Sequence, residues 1–197
     1  MTFCLGLTGS IGMGKSTTAR MFADEGCAIW DADAAVHRLY ARGGAAVEMM
    51  HDAFPDAVVN GSVSREKLKE IIDHDKAALK RIEQIVHPLV RCDRADFISQ
   101  SNTDIVVLDI PLLFETGGDT EVDAVACVTV SREKQQNRVL GRGTMTPEQF
   151  FAIRDKQMPN DEKCRRADFV IETDTLEHAR LQVQDIVKQI KNRLTHA

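Results

Sequence analysis

A glycine-rich segment near the start of the sequence has the residue types and spacing of a phosphate-binding loop. Residues 9–16 read G-S-I-G-M-G-K-S, which fits the pattern G-x-x-x-x-G-K-S. The glycines let backbone N–H groups approach phosphate oxygens and curl into one concavity. Lys15 then offers a positive charge to the β- and γ-phosphates, and Ser16 offers a hydroxyl to Mg²⁺. The pattern predicts nucleotide phosphate binding, whereas a plain glycine-rich turn leaves the adjacent Lys-Ser pair unexplained.

The segments on either side of this loop are predicted to position it. An apolar run over 3–8 predicts a strand, and 15–24 carries apolar residues at helical spacing. A helix that begins at the loop points the positive end of its dipole at a bound anion. The predicted nucleotide-binding residues are Ser10, Ile11, Gly12, Met13, Gly14, Lys15, Ser16 and Thr17.

Short apolar runs alternate with helical patterns along the rest of the chain. Further strands are predicted at 27–30, 105–110, 124–130 and 169–172. Further helices are predicted at 33–42, 64–72, 76–100, 132–140, 146–156 and 175–194. The strand runs are mostly continuous, which is typical of parallel strands covered on both faces. The alternation predicts a doubly wound α/β fold.

The interval between the second and third predicted strands is too long for a single crossover helix. It holds several helical patterns, interrupted by strong turn sequences at 54–56 and 60–62. We interpret it as a helical insertion beyond the strand ends, able to present a substrate-binding surface. The length of 197 residues fits one domain with such an insertion.

Three aspartates follow predicted strands and are candidates for phosphoryl-transfer chemistry. Asp109 ends the run at 105–108, where a phosphate-loop protein places the acid that helps hold Mg²⁺ through water. Asp31 and Asp33 follow the second strand, and Asp33 is our candidate for accepting or orienting the proton of an acceptor hydroxyl. The alternatives are a strand-ending role for Asp109 and a helix N-cap for one of the other two.

The other candidate residues each have a structural alternative. Leu112, Leu113 and Phe114 form an apolar loop after Asp109 that suits either a substrate wall or core packing. His87 is a possible substrate contact, although a lone histidine is more often structural. Arg138 and Arg142 stand four residues apart on a predicted helical face, where they suit either a lid closing over phosphates or a solvated surface.

The composition excludes several classes of partner. The formal net charge of −5 gives no reason to expect nucleic acid or an anionic membrane, and no apolar run reaches the length of a membrane span. Residues 132–166 nevertheless hold nine Lys/Arg against five Asp/Glu, which suggests an anionic partner at that segment. The cysteines are scattered singly, and no signal peptide is evident, so we expect a cytoplasmic protein.

Taken together, the motifs resemble those of the dephospho-coenzyme A kinase family along essentially the whole chain. The phosphate loop alone is shared by many families, but the later motifs in this order are much more specific. The matching segments are 7–17, Asp31-Ala32-Asp33 with Val36-His37, 85–90 (IVHPLV), 109–115 (DIPLLFE), 135–142, 157–159 (QMP) and 167–171 (ADFVI).

The resemblance implies an ATP- and Mg²⁺-dependent kinase that phosphorylates the ribose 3′-hydroxyl of dephospho-coenzyme A. It implies a five-stranded sheet ordered 2-3-1-4-5, a helical substrate region at about 40–100 and a lid at about 132–163. It also implies that Asp33 faces the acceptor hydroxyl, that Lys15 and a lid arginine contact the transferred phosphoryl group, and that the 112–114 loop lies near the acceptor. The adenine of ATP is expected near the loop before Ala167. The protein itself is expected to be a monomer or a weak homo-oligomer.

Two other functional hypotheses are compatible with the same phosphate-binding residues. Another small-molecule kinase, of the nucleoside or shikimate type, would differ only in the inserted region. A regulatory nucleotide switch is a reading from a different class, and the sequence lacks the Asn-Lys-x-Asp motif that reads guanine.

Overall fold

The computed structural model describes residues 2–195, which divide into two compact units. One unit contains the segment up to Trp30 together with the segment from Ser101 onward, and the other is Asp31–Gln100. In the part of the chain that is described, no helix is both long enough and apolar enough to cross a membrane.

A five-stranded sheet, counted over residues 2–195, forms the centre of the first unit. The strands of the chain are β1 Phe3–Thr8, β2 Ala28–Asp31, β3 Val58–Val59, β4 Ser62–Val63, β5 Ile105–Asp109, β6 Ala124–Thr129 and β7 Phe169–Glu172. The main sheet has the order β2-β5-β1-β6-β7, while β3 and β4 pair as a separate hairpin. Numbered along the chain without the hairpin, this is the expected order 2-3-1-4-5, and the predicted α/β fold is confirmed.

Helices connect these strands. They are α1 Lys15–Asp24, α2 Ala32–Tyr40, α3 Val47–Ala53, α4 Arg65–His74, α5 Lys76–Gln100, α6 Arg132–Leu140, α7 Pro147–Lys156, α8 Asn160–Arg166 and α9 Leu176–Thr195. The short helices α3 and α8 were not predicted. The sequence of α8, NDEKCRR, has no apolar stripe from which a helix could be recognised.

The main core of the first unit lies between the sheet, α1 and α9. On the central strand β1, Leu5 and Leu7 are fully buried against this core, which also contains Phe22 of α1 and Ile190 of α9. Strand β1 pairs in parallel with β5 and β6, and the register places Leu7 beside Asp109. The end of β1, from which the phosphate loop leaves, is therefore fixed next to the end of β5.

A smaller cluster packs on the opposite face of β6. Leu113, Phe114 and Val125 are buried together, with Met158 and Ala167 packed at its edge. Successive residues of a strand point to opposite faces of the sheet. Val125 therefore points away from the main core, to which its neighbours Ala124 and Ala126 belong. This cluster fixes the loop after β5 to the segment that leads into α8.

The second unit has its own apolar core and its own helix caps. Met50, Leu68 and Ile82 are buried in that core. The Asp31 carboxylate accepts a hydrogen bond from the Ala34 N–H at 2.8 Å and so caps α2. The capping alternative considered for the Asp31/Asp33 pair thus applies to Asp31.

One detail of the predicted lid needs correction. Helix α6 ends at Leu140, so Arg142 lies beyond the helix on which Arg138 sits, and the two do not share a helical face. Gly143 has a φ of +66°, a left-handed conformation that turns the chain away after α6.

Candidate active site

The phosphate loop needs glycine at three positions in this structure. At Gly9, the first glycine of the motif, a Cβ would lie 2.3 Å from a Val128 methyl group. Gly14 has a φ of +96°, and a Cβ there would lie 3.0 Å from the Thr173 hydroxyl oxygen. Gly12 has a φ of +78°, and a Cβ there would lie 2.5 Å from a Val139 methyl group. Both the left-handed backbone and the close neighbours exclude larger residues. The glycines predicted from the motif therefore have a direct geometric reason.

The N-terminus of α1 is open to an anion. Gly14 precedes the helix without a side-chain cap, and the first turn of α1 contains no acidic residue in the described structure. Ser16 and Thr17 in that turn are exposed to solvent. Unpaired amide groups and the positive end of the helix dipole favour a negatively charged group at this point.

Lys15 and Asp109 form an ion pair beside this helix start. The Lys15 ammonium group contacts the Asp109 carboxylate, and the two side chains are 17% and 4% exposed. The contact follows from the β1–β5 register, which brings the ends of the two strands together. It links the predicted phosphate-binding lysine to the predicted metal-supporting aspartate.

The donor atoms at this place suit Mg²⁺. No group of three or more His, Cys, Asp or Glu side chains arranged for a metal occurs among residues 2–195. Mg²⁺ prefers oxygen ligands, retains several waters and is commonly held by one or two carboxylates together with substrate phosphates. The Ser16 hydroxyl and the Asp109 carboxylate are oxygen donors of the type that Mg²⁺ prefers, and their assignment to the metal stays a prediction.

Side chains from the basic segment hold the start of the loop. Asn160 Oδ1 accepts a hydrogen bond from the Ser10 N–H at 2.9 Å, and Gln157 Oε1 accepts one from the Ile11 N–H at 3.1 Å. Gln135 Nε2 donates to the Ile11 carbonyl at 2.7 Å. Since these two amides already have acceptors, the amides that are available to a phosphate group lie further along, toward Gly14 and α1. The assignment of Ser10 and Ile11 to the nucleotide stays a prediction.

A pocket of about 260 Å³ opens beside the loop. Its lining residues are Gly14, Thr17, Thr18, Met21, Arg138, Arg142, Thr173, Thr175, Leu176 and Ala179. The Thr173 hydroxyl donates to the Met13 carbonyl at 2.7 Å and so ties the segment after β7 to the phosphate loop. The pocket lies at the start of α1, where an anion is favoured.

The two arginines predicted to belong to a lid have different surroundings. Arg138 donates to the Thr173 hydroxyl at 2.9 Å and to the Thr173 carbonyl at 2.5 Å, so its guanidinium is anchored. Arg142 is exposed at the pocket and has no ion-pair partner within the described part of the chain. Arg142 is therefore the more available of the two for a phosphate group.

A fully buried lysine supports the loop after Asp109. Lys163 is 0% exposed, and its ammonium group lies 2.9 Å from Glu115 Oε1 and donates to the Pro111 carbonyl at 2.9 Å. Glu115 Oε1 also accepts the Met158 N–H at 2.9 Å, and the Thr8 hydroxyl donates to the Pro111 carbonyl at 3.1 Å. Lys163 thus connects α8, the loop after β5 and the end of β1.

The apolar loop after Asp109 is divided between core and surface. Leu113 and Phe114 are 0% and 6% exposed, so the packing alternative accounts for both side chains, and their assignment to the substrate stays a prediction. Leu112 is 43% exposed and remains a candidate for substrate contact.

The candidates in the second unit are exposed. Asp33 lies in the first turn of α2, and its carboxylate has no hydrogen-bond partner among the described residues. His87 lies in α5 and is also exposed.

The parallel sheet, the open phosphate loop and its Lys15–Asp109 pair define a P-loop α/β protein of the kinase type. A family model described as dephospho-CoA kinase matches residues 3–178. A dephospho-CoA kinase of Ruegeria pomeroyi is 68% identical over 197 residues, covering 100% of both chains. The chain belongs to the dephospho-CoA kinase family.

Solved structures agree with this assignment. A crystal structure from Thermus thermophilus has a TM-score of 0.86 and 32% identity, covering 95% of this chain and 97% of that one. A dephospho-CoA kinase from Campylobacter jejuni has a TM-score of 0.70 and 26% identity, covering 96% and 98%.

Several site residues were not predicted from the sequence. Thr173, Asn160 and Lys163 act through contacts with residues distant in the chain, which no local spacing reveals. Gln157 and Gln135, which hold Ile11, do stand in segments that resemble the family. Glu115, likewise inside such a segment, carried no indication that its partner would be a buried lysine.

We expect Lys163→Met to lower the free energy of unfolding by about 3 kcal/mol, because Glu115 would lose the cation that compensates its mostly buried charge. Urea denaturation measures the change. Arg165→Met is the matched control, since Arg165 lies on the same helix and its ion pair with Glu162 is exposed. That control should cost less than about 1 kcal/mol. Equal costs for the two variants would contradict the supporting role of Lys163.

Proposed function

We propose that this protein transfers the γ-phosphoryl group of ATP to the ribose 3′-hydroxyl of dephospho-CoA, giving CoA and ADP. The observation that carries the proposal is the Lys15–Asp109 pair beside the uncapped start of α1, in a chain of the dephospho-CoA kinase family. Phosphoryl transfer asks the protein mainly for positioning and electrostatic stabilisation, which such a site supplies.

On the donor side, the amides at the start of α1 and the Lys15 ammonium group bind the phosphates. Lys15 leaves Asp109 for the β- and γ-phosphates when ATP enters, and Ser16 and Asp109 then serve the metal. When bound, Mg²⁺ neutralises charge that develops on the phosphate oxygens. We place the adenine and ribose in the pocket lined by Thr173 and Leu176, after β7 rather than before Ala167.

Arg138 and Arg142 have separate roles on the donor side. Arg138 positions the segment after β7 through Thr173, and Arg142 offers its guanidinium to the transferred phosphoryl group. Guanidinium groups suit this task because they present several N–H donors to phosphate oxygens at once. The lid at about 132–163 therefore contributes both support for the pocket and charge neutralisation.

On the acceptor side, Asp33 accepts or orients the proton of the 3′-hydroxyl. Its exposed carboxylate without a partner suits this role better than the Asp31 carboxylate, which caps α2. We assign the helical region at about 40–100 to the acceptor, with His87 and Leu112 as candidate contacts. The free cysteines of the chain fit a reducing cytoplasm.

The experiment that tests this function compares acceptors. ADP release from Mg-ATP is measured with dephospho-CoA, with nucleosides, with shikimate and without acceptor. We expect rapid ADP release with dephospho-CoA alone, and a 3′-phosphorylated product by mass spectrometry. Turnover with a nucleoside or with shikimate equal to that with dephospho-CoA would favour the other kinase types. Equal turnover without any acceptor would contradict the proposal.

Asp33→Asn should lower kcat by about 100-fold or more while leaving the Kd for ATP within about twofold, because general-base assistance is removed and the donor site is untouched. Asp31→Asn is the control, since asparagine caps a helix as well as aspartate does. Steady-state kinetics and calorimetric ATP binding measure both effects. A loss of ATP binding in Asp33→Asn with normal residual kcat would show that the role is misassigned.

Leu176→Asp should raise the KM for ATP by about tenfold, equivalent to about 1.4 kcal/mol, because it places a carboxylate at the rim of a pocket that takes a polyphosphate ligand. Leu181→Asp places the same charge at an exposed position of the same helix, outside the pocket lining. Initial rates at varied ATP should separate the two variants. Equal KM values for ATP in the two variants would contradict the placement of the nucleoside in this pocket.

A further inference from the structure

Two cysteines from different elements meet beside the phosphate loop. Cys127 lies in β6 and is fully buried, and Cys164 lies in α8 and is partly exposed. Their sulfur atoms are 3.6 Å apart. Helix α8 covers the face of β6 on which Cys127 lies, opposite the face that packs against α1 and α9. The phosphoryl-transfer chemistry uses neither thiol.

The surroundings of the two thiols give them different reactivity. Hydrogen bonding with Cys127, supported by the Thr129 hydroxyl and opposed by burial, lowers the pKa of the Cys164 thiol to about 7. Asn160 Nδ2 also donates to the Cys164 sulfur at 3.6 Å. The pKa of Cys127 is raised by its hydrogen bond with Cys164 and by burial. Cys164 is therefore the nucleophile of the pair, and Cys127 is placed to react second.

The pair is connected to the phosphate loop through one side chain. Asn160 contacts Cys164 and donates through Nδ2 to the Val128 carbonyl at 3.2 Å, while its Oδ1 accepts the Ser10 N–H at 2.9 Å. A change at the Cys164 sulfur therefore alters the surroundings of a residue that holds the loop.

We propose that Cys127 and Cys164 form a reversible oxidation site whose disulfide weakens ATP binding. The oxidant is a hydroperoxide. The Cys164 thiolate attacks its terminal oxygen, the O–O bond breaks, and the departing alkoxide or hydroxide takes a proton, which leaves a sulfenic acid on Cys164. The Cys127 thiol then attacks that sulfur, the S–S bond forms and water leaves. The two thiols lose two electrons, which reduce the O–O bond.

The disulfide acts on the loop through Asn160. Bonded sulfurs are about 2 Å apart, so closing the 3.6 Å gap moves Cys164 and Cys127 together by more than an ångström. Asn160 also loses a thiolate acceptor for its Nδ2 group. Because Oδ1 of the same amide accepts the Ser10 N–H, a shift of Asn160 weakens this hydrogen bond and moves the start of the phosphate loop. We expect the Kd for ATP to rise at least fivefold.

Other cysteines serve as internal comparisons. Burial raises the pKa of the Cys27 thiol to about 11, so it is protonated and slow to react near neutral pH. Cys92 is exposed in α5, in the other compact unit. Cys92→Ser is therefore the matched control variant.

The test treats the whole protein with hydrogen peroxide and follows three quantities: the Cys127–Cys164 peptide by mass spectrometry, the Kd for ATP, and recovery with dithiothreitol. Wild type and Cys92→Ser should form the disulfide and bind ATP at least fivefold more weakly, and dithiothreitol should restore both. Cys164→Ser should not respond. Cys127→Ser should accumulate a sulfenic acid on Cys164 that dimedone traps, with Cys127→Ala as a second variant at this buried site.

Each variant is compared with its own reduced form, so a change in basal activity does not affect the result. Failure to detect the Cys127–Cys164 peptide would overturn the proposal. So would a disulfide that leaves the Kd for ATP unchanged, or an equal loss of ATP binding in Cys164→Ser. Disulfide mapping is independent of turnover, so these outcomes do not depend on the identity of the acceptor.

Discussion

The ion pair between Lys15 and Asp109 is the contact on which the donor site depends. It joins the phosphate loop to the neighbouring strand, and both charges are largely shielded from solvent. The β1–β5 register makes it possible, since Leu7 lies beside Asp109 before the chain turns into the loop. Each partner compensates the other's charge without nucleotide, and each has a separate role in the proposed donor complex. In the proposed mechanism, the pair keeps both side chains in place until the substrate binds.

The basic segment supports this arrangement from its other side. Asn160 and Gln157 bind backbone amides of the loop, and Arg138 fixes Thr173, which binds the Met13 carbonyl. Lys163 connects the same segment to the loop after Asp109. The segment predicted to carry lid arginines therefore also provides the polar side chains that shape the phosphate loop. This coupling explains how oxidation of Cys164 would change the binding of the nucleotide.

Local spacing was sufficient to predict the phosphate loop, α1, the main strands and the position of Asp109 at a strand end. The contacts of Asn160, Thr173 and Lys163 were not predictable, because each joins segments far apart in the chain and depends on how the sheet is ordered. The apolar loop illustrates the same limit. Leu112, Leu113 and Phe114 look alike in sequence, but the packing of Val125 against two of them buries those two and leaves Leu112 exposed.

Calorimetric titration of Asp109→Asn with ATP, with and without Mg²⁺, tests most directly the claim that Asp109 holds Lys15 until phosphate and metal arrive. Without Mg²⁺, we expect the variant to bind ATP more tightly than wild type, because the neutral amide competes less for Lys15 and does not repel phosphate. Mg²⁺ should strengthen binding in wild type and have little effect in the variant. Weaker binding of free ATP by the variant, or an undiminished Mg²⁺ effect, would contradict the account.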